Sequence, residues 1–200
     1  KALSDLAHKN NVLFMTGFNR RFVPLVKQVH DLGVPDLVIY QKNRNLKSDT
    51  VKRFIMEDYV HVIDTARYLL QREITEIRVQ AKLEKDLLAH VIVHLITDVN
   101  SAICITNYQN GCTEEIIDVM HPYYKSVIKN LAELEWYEKD EKHVALPIDW
   151  QATLKKRGFE DLIESFMNAL KKNEISISID DAYRTHEICN YIKEEIEKTL

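Results

Sequence analysis

Apolar and polar positions follow two rhythms along this chain. The stretch "ALSDLAHKNN" has a helical period and ends at two asparagines that suit a C-terminal cap. The apolar run "VLFMTGF" has the length of a strand, and "NRRF" sits at its end. "FVPLVKQVHDLG" restarts the helical period, with Pro24 near its first turn and Gly33 as its stop. "PDLVIYQKNR" reads as a second strand, so the opening is α-β-α-β, the trailing half of a wound α/β unit. The polar connector "LKSDTVKR" then leads into a long apolar helix, "FIMEDYVHVIDTARYLL", residues 54 to 70.

From about residue 73 the period shortens to two. "ITEIRVQAKL", "LLAHVIVHLITDV", "SAICITNYQ", "TEEIIDVMH" and "LAELEWYEK" are β-rich runs. Between them, "DVNS" and "QNGC" are tight-hairpin signals, the second typical of a type I′ turn. Such runs predict neighbouring antiparallel strands of one sheet. "TLKKRGFEDLIESFMNALKKN" and "DDAYRTHEICNYIKEEIEKTL" return to helix, the second capped by Asp180 or Asp181. The expected fold class is α+β (α/β). A large, mostly antiparallel open sheet carries helices on one face and follows the tail of a Rossmann-like βα unit.

The helix at 54–70 contains a contradiction. Ile55, Met56, Tyr59, Val60, Val62, Ile63, Ala66, Leu69 and Leu70 make it apolar almost all round, which places it in a core. Yet Glu57, His61, Asp64 and Tyr68, spaced i, i+4, i+7 and i+11, form one polar stripe. Buried carboxylates and imidazoles are costly unless paired or used. Two readings stay open. His61 exchanges a proton with a substrate, oriented by Glu57 or Asp64; or the carboxylates pair with Arg67, Arg53 or a loop and His61 is a satisfied core residue. E-x3-H-x2-D also offers metal ligands, but it lacks the paired histidines of the helical zinc motif, and no metal site is expected. His90 and His94 of "HVIVH" would lie about 13 Å apart on a strand and cannot share an ion. Arg20 and Arg21 of "GFNRRF" sit at a strand end, where α/β folds place ligands, although solvated surface charge is the simpler reading. Trp136 and Tyr137 read as sheet packing or part of an interface.

Composition narrows the function. The 200 residues have a formal net charge of −4, which gives no electrostatic footprint for nucleic acid or an anionic membrane. No apolar stretch is long enough to predict a membrane span, and none resembles a signal peptide. Cys104, Cys112 and Cys189 lack CxxC spacing and read as reduced thiols in a cytoplasmic setting. The four glycines, Gly17, Gly33, Gly111 and Gly158, are too scattered to form a dinucleotide-binding loop. The chain opens on Lys1 inside a helical pattern, which reads as a piece of something longer.

In order, these pieces resemble the glucose-fructose oxidoreductase, inositol dehydrogenase and MocA (Gfo/Idh/MocA) family of NAD(P)-dependent oxidoreductases. The resemblance rests on "VLFMTGFNRRFVPLVKQV", the helix with His61 and Asp64, the long antiparallel sheet and "ISIDDAYRTHEICNYI". It implies that residues 1–45 are the residual part of the NAD(P)-binding Rossmann domain. Residues 46–200 would be the substrate-binding and oligomerisation domain. It further implies hydride transfer between nicotinamide, NAD or NADP, and a hydroxyl-bearing carbon of a sugar, inositol or related polyol. His61 would be the general acid/base, with Glu57 or Asp58 orienting it and Asp64 supporting it. Asn19, Arg20 and Arg21 would lie near the cofactor or substrate, and the open sheet would join copies of the chain. The family's Glu-Lys-Pro lysine and glycine loop are absent, so these residues alone should not turn over. Glu57 stands where the family usually has Asp, and Tyr59 where it has Gly, at the expected mouth of the site. Those two departures favour the rival reading, a non-catalytic sensor or assembly protein on the same fold.

Overall fold

The computed structural model describes residues 1–45, 48–145, 152–172 and 178–198. Parts of the predicted connector (46–47) and the far ends of both tail helices (173, 199–200) lie outside them. The fold is built around strand β1 (Leu37–Asn43), which occupies the middle of an eight-stranded sheet ordered β2-β3-β4-β1-β5-β6-β7-β8. β2 (Glu76–Glu84), β3 (Leu87–Ile96) and β4 (Ser101–Asn107) form an antiparallel meander that approaches β1 from one edge. β4 meets β1 in parallel. The chain then crosses the end of β1, and β5 (Glu114–His121) pairs antiparallel on its other side. β6 (Tyr124–Lys129), β7 (Glu133–Glu138) and β8 (Glu141–Ala145) continue outward as a second meander.

This topology corrects the reading of "QNGC". The segment is a crossover from β4 to β5, which are not neighbours, and neither Asn110 nor Gly111 has a positive φ. The tight hairpins lie where no glycine marks them. Lys85 and Asp86, Asn130 and Leu131, and Lys139 and Asp140 each have positive φ in succession, as a type I′ turn requires. "DVNS" is a hairpin as expected, closed by Thr97, whose amide donates to the Asn100 carbonyl at 3.0 Å. "VLFMTGF" is not a strand: no neighbouring strand pairs with it among the described residues, and only short turns form at Phe18 and Asn19. "PDLVIYQKNR" is a strand, but it belongs to the centre of the large sheet, so the sheet begins before residue 45.

Helices cover one face of the sheet. A continuous helical rod runs from residue 51 to 70. It comprises α3 (Val51–Arg53), a π-helical segment (Phe54–Tyr59) and α4 (Val60–Leu70). With α7 (Ile179–Glu197) it buries Val38, Tyr40, Val91, Val93, Cys104 and Val119 beneath Val62, Ile63, Ala66, Cys189 and Ile192. α1 (Ala2–Asn10) ends at Asn11 in the left-handed conformation, and α2 (Pro24–His30) has Pro24 in its first turn. Ser178, rather than Asp180 or Asp181, caps α7: its hydroxyl accepts from the Asp181 amide at 3.0 Å. The predicted helix at 153–173 is interrupted, giving α5 (Thr153–Lys156) and α6 (Phe159–Lys172). Trp136 packs partly against the core and stacks on His143 at 5.1 Å.

Gly158 makes that interruption. Its φ is +74°, and a Cβ there would lie 2.6 Å from backbone atoms of Phe22 and Val23. The close approach lets the α5–α6 corner rest on the segment 19–23. A Gly158→Ala substitution is therefore expected to cost about 2 kcal/mol or more through strain and collision together, read as a lower urea midpoint.

Candidate active site

The site grows from the helical rod at 51–70. A π turn carries an extra residue per turn, so it rotates side chains relative to a regular α-helix and breaks the stripe expected at Glu57. Glu57 points to solvent, 63% exposed, and pairs with Arg53 at 3.4 Å. Asp58 turns inward instead. One carboxylate oxygen accepts from the Lys42 ammonium, and the other accepts from the Tyr108 hydroxyl. Arg44 lies 3.7 Å away. Tyr59 is fully buried and donates its hydroxyl to the Cys104 carbonyl at 2.8 Å, so it does not crowd the mouth of any site.

Lys42 comes from β1, where Val38, Tyr40 and Lys42 share the helix-covered face. Its side chain is only 2% exposed. Burial and the neighbouring Arg20 pull its ammonium down to about 8, while Asp58 opposes them. Against the penalty of burial, Lys42, Tyr108 and Arg44 hold the Asp58 carboxyl down to about 2.

His61 stands half-buried on the next turn, with its ring edge against Phe18 at 6.4 Å between centroids. Burial and the charges of Arg20 and Lys42 lower it to about 4, outweighing Asp58 and Glu115. Its Nδ1 is buried without a hydrogen-bond partner. At neutral pH it is an uncharged imidazole, able to accept a proton.

The remaining expected site residues are committed elsewhere. Asp64, three residues beyond His61 on α4, is committed to other partners, accepting two bonds from Arg21 (2.9 and 2.6 Å) and one from the Thr185 hydroxyl at 3.1 Å. Arg21 also pairs with Asp181 at 2.7 Å, and Arg67 with Asp181 at 2.9 Å. This knot joins the 3-10 turn at 19–22 to α4 and α7. Arg20 is buried and bidentate on Glu115 of β5 (2.6 and 3.1 Å), where the Tyr40 hydroxyl also donates. Asn19 donates to the Arg157 carbonyl at 2.8 Å. Neither arginine is solvated surface charge: each is buried against a carboxylate. Tyr68 stacks on His30 at 4.0 Å and takes no part in the site. Among the described residues no group of three His, Cys, Asp or Glu side chains could hold a metal ion.

The structure thus turns Asp58 inward and Glu57 to solvent, and engages Asp64 with Arg21 and Thr185. It adds Lys42, Tyr108 and Arg44, which sequence reasoning missed. One signal was present: Lys42 interrupts a strand that is otherwise apolar on its inward face, as Tyr40 does less strongly.

The chain has the fold of the C-terminal part of Gfo/Idh/MocA dehydrogenases, with the eight-stranded open sheet and its one-sided helices. No family model matches the chain. A dehydrogenase (MviM) from Clostridium difficile superposes with a TM-score of 0.91 at 24% identity, covering 100% of this chain and 66% of that one. A Gfo/Idh/MocA family oxidoreductase from Vibrio cholerae does so at 0.90 and 19%, covering 99% of this chain and 66% of that one. Levoglucosan dehydrogenase, solved with NADH and L-sorbose, gives 0.82 at 16% identity, covering 98% of this chain and 67% of that one. By sequence, the chain is 25% identical to YceM of Salmonella typhimurium, which carries an oxidoreductase name. That match covers 86% of this chain and spans 58% of the relative's length.

Two outcomes test the electrostatics. Arg20→Met strands the buried Glu115 carboxylate and should cost about 3–5 kcal/mol in urea unfolding. Asp58 is depressed in the folded state, so its stabilising share is complete above the ordinary carboxyl value of 3.8 and fades as pH falls toward 2. The stability gap between wild type and Asp58→Asn should accordingly shrink from pH 5 to pH 2, measured by urea midpoints along that series.

Proposed function

We propose that this chain is the substrate-binding and assembly portion of an NAD(P)-dependent oxidoreductase of the Gfo/Idh/MocA type. His61 exchanges a proton with a hydroxyl of a sugar, inositol or other polyol. The observation carrying this reading is His61 itself: an uncharged, half-buried imidazole with an unpartnered ring nitrogen, on a fold shared with dehydrogenases. The buried position of Tyr59 supports it, because the residue that departs from the family pattern does not occupy the site.

A bound nicotinamide supplies the hydride chemistry. These 200 residues hold no glycine-rich loop to cradle its phosphates, and Arg20 and Arg21 are engaged by Glu115, Asp64 and Asp181. Cofactor binding therefore falls to chain beyond this sequence. On this reading residues 1–18 belong with the cofactor domain. The boundary moves from residue 45 to just before the turn at Asn19, since β1 is central to the sheet.

The uncovered sheet face joins copies of the chain. Ile39, Ile92, Ile103, Ile105, Ile116 and Met120 are all half-buried there, with Arg78 and Lys82 toward one edge and Lys125 and Lys129 toward the other. Asp118 and Gln41 lie opposite Ile39 and Ile116 in this largely apolar centre, and a face of this mixed kind suits association with a like surface. No helix among the described residues is long and apolar enough to cross a membrane. The free Cys104, Cys112 and Cys189 suit a reducing, cytoplasmic setting.

The second reading, a non-catalytic sensor or assembly protein, draws on one observation. Glu57 faces solvent, so no carboxylate hydrogen-bonds the His61 Nδ1 to orient the ring. Titrating NADH and NADPH against protein made from the complete open reading frame separates the two. Saturable enhancement of nicotinamide fluorescence supports the dehydrogenase; a folded protein that binds neither supports the sensor. In the active protein, His61→Ala should lower turnover by about 10² to 10⁴ with the fold retained. Full activity in that variant would remove His61 from the mechanism.

A further inference from the structure

Helix α6 turns a largely polar side toward the rest of the molecule. Asp161, Ser165 and Lys172 face Lys27 and Gln28 of α2 across a cleft of about 790 Å³. Among the residues of α6 only Ala169 is buried, and the helix rests on α5 and on the turn at 19–22. The side turned to solvent is apolar. Phe159, Ile163, Met167 and Leu170 are 41%, 60%, 50% and 52% exposed. Their spacing of i, i+4, i+8 and i+11 keeps them within one stripe, which Leu162 and Phe166 border half-buried. An aligned apolar face running the length of a 14-residue helix marks a contact surface.

We propose that this face of α6 binds the same face of a second copy of the chain, antiparallel about a two-fold axis. The inference does not depend on the dehydrogenase reading, and its surface is separate from the uncovered face of the sheet. Two such two-fold contacts on one chain build an assembly of four.

The stripe and its charges are self-complementary. A two-fold axis passing near residue 165 sets Ile163 of one copy beside Met167 of the other, and Phe159 beside Leu170. Glu160 and Lys171 each follow a stripe residue by one position, so they lie on the same flank of the helix. In an antiparallel pair equivalent flanks stay on one side, and the same axis brings Glu160 of each copy beside Lys171 of the other. Unlike charges therefore meet at both ends of the pair. Within the chain neither Glu160 nor Lys171 has an ion-pair partner among the described residues. An anionic lipid surface is a poorer match, because Glu160, Asp161 and Glu164 outnumber Lys171 and Lys172 on this helix. Two 14-residue helices make a small interface, so the expected dissociation constant is on the order of micromolar.

The test is sedimentation-velocity ultracentrifugation of protein made from the complete open reading frame, across about 1–100 μM, with circular dichroism as the check on folding. The wild type should form an oligomer with an even number of chains at the upper concentrations. Ile163→Glu, at a position already open to solvent, should halve that mass with the helical signal retained. Glu160→Lys and Lys171→Glu should each weaken association by about threefold or more, because each sets like charges together at both ends of the pair. The double variant exchanges the charges, restores unlike pairs and should recover the wild-type affinity. Helix stability moves the other way. Acidic groups favour a helix N-terminus and lysines a C-terminus, so the two substitutions should add their costs in urea unfolding. Association that recovers while stability falls further identifies a second copy of α6 as the partner. A monomer at every concentration, an unchanged mass in folded Ile163→Glu, or a double variant that associates more weakly than either single overturns the proposal. An unchanged mass together with a lower urea midpoint in Ile163→Glu would instead assign the stripe to chain beyond this sequence.

Discussion

Charges buried inside this molecule must meet a partner, and that requirement fixes how its elements sit together. Arg20, Arg21 and Lys42 are each nearly shut off from solvent, and each is met by a carboxylate from another element. Glu115 arrives from β5, Asp64 from α4, Asp181 from α7 and Asp58 from the π turn. An unpaired charge at any of these positions would cost several kcal/mol, more than most single contacts in the core supply. The pairs add little net stability over an apolar core, but they allow one arrangement of turn, strand and helices rather than several. Placing β1 between the two meanders puts Tyr40 and Lys42 under the helical rod, and the electrostatics of the site follow from that.

The π turn is where fold and candidate chemistry meet. A regular helix would have aligned Glu57 with His61 and Asp64, giving the ring a carboxylate neighbour and a tendency to charge. The observed rod sends Glu57 to solvent, draws Asp58 onto Lys42 and leaves His61 beside cations. One residue of helical phase thus decides which of two adjacent carboxylates is drawn inward and which is left in solvent.

Much of the architecture was legible because burial repeats. The alternation in "EIRVQAKLE", "HVIVHLI", "SAICITN" and "EEIIDVM" follows from one buried and one open sheet face, and those segments are strands. β6 and β8 escaped because "YKSVIK" and "EKHVA" are short and charged, without a sustained apolar alternation. The hairpins at Lys85–Asp86, Asn130–Leu131 and Lys139–Asp140 escaped because ordinary residues hold the left-handed conformation there, the flanking ladders compensating its local strain. "VLFMTGF" has a strand's composition but no neighbouring strand to pair with among the described residues.

The candidate site divides in the same way. Sequence alone determined that His61 lies on a helix in a largely apolar setting, and that Arg20 and Arg21 close the segment before α2, because periodicity and helix caps are local properties. It also carried the order of elements on which the likeness to Gfo/Idh/MocA oxidoreductases rests. Only the tertiary structure decided which carboxylate serves which cation. It turned Glu57 to solvent, gave Asp64 to Arg21, turned Arg20 and Arg21 inward and brought in Lys42 and Glu115 from two strands and Tyr108 from just beyond β4. Those pairings join residues as far apart in the chain as Arg21 and Asp181, and they depend on helix phase and strand register together. No local pattern encodes that sum, because the cost of an unpaired buried charge exists only once the chain has closed around it.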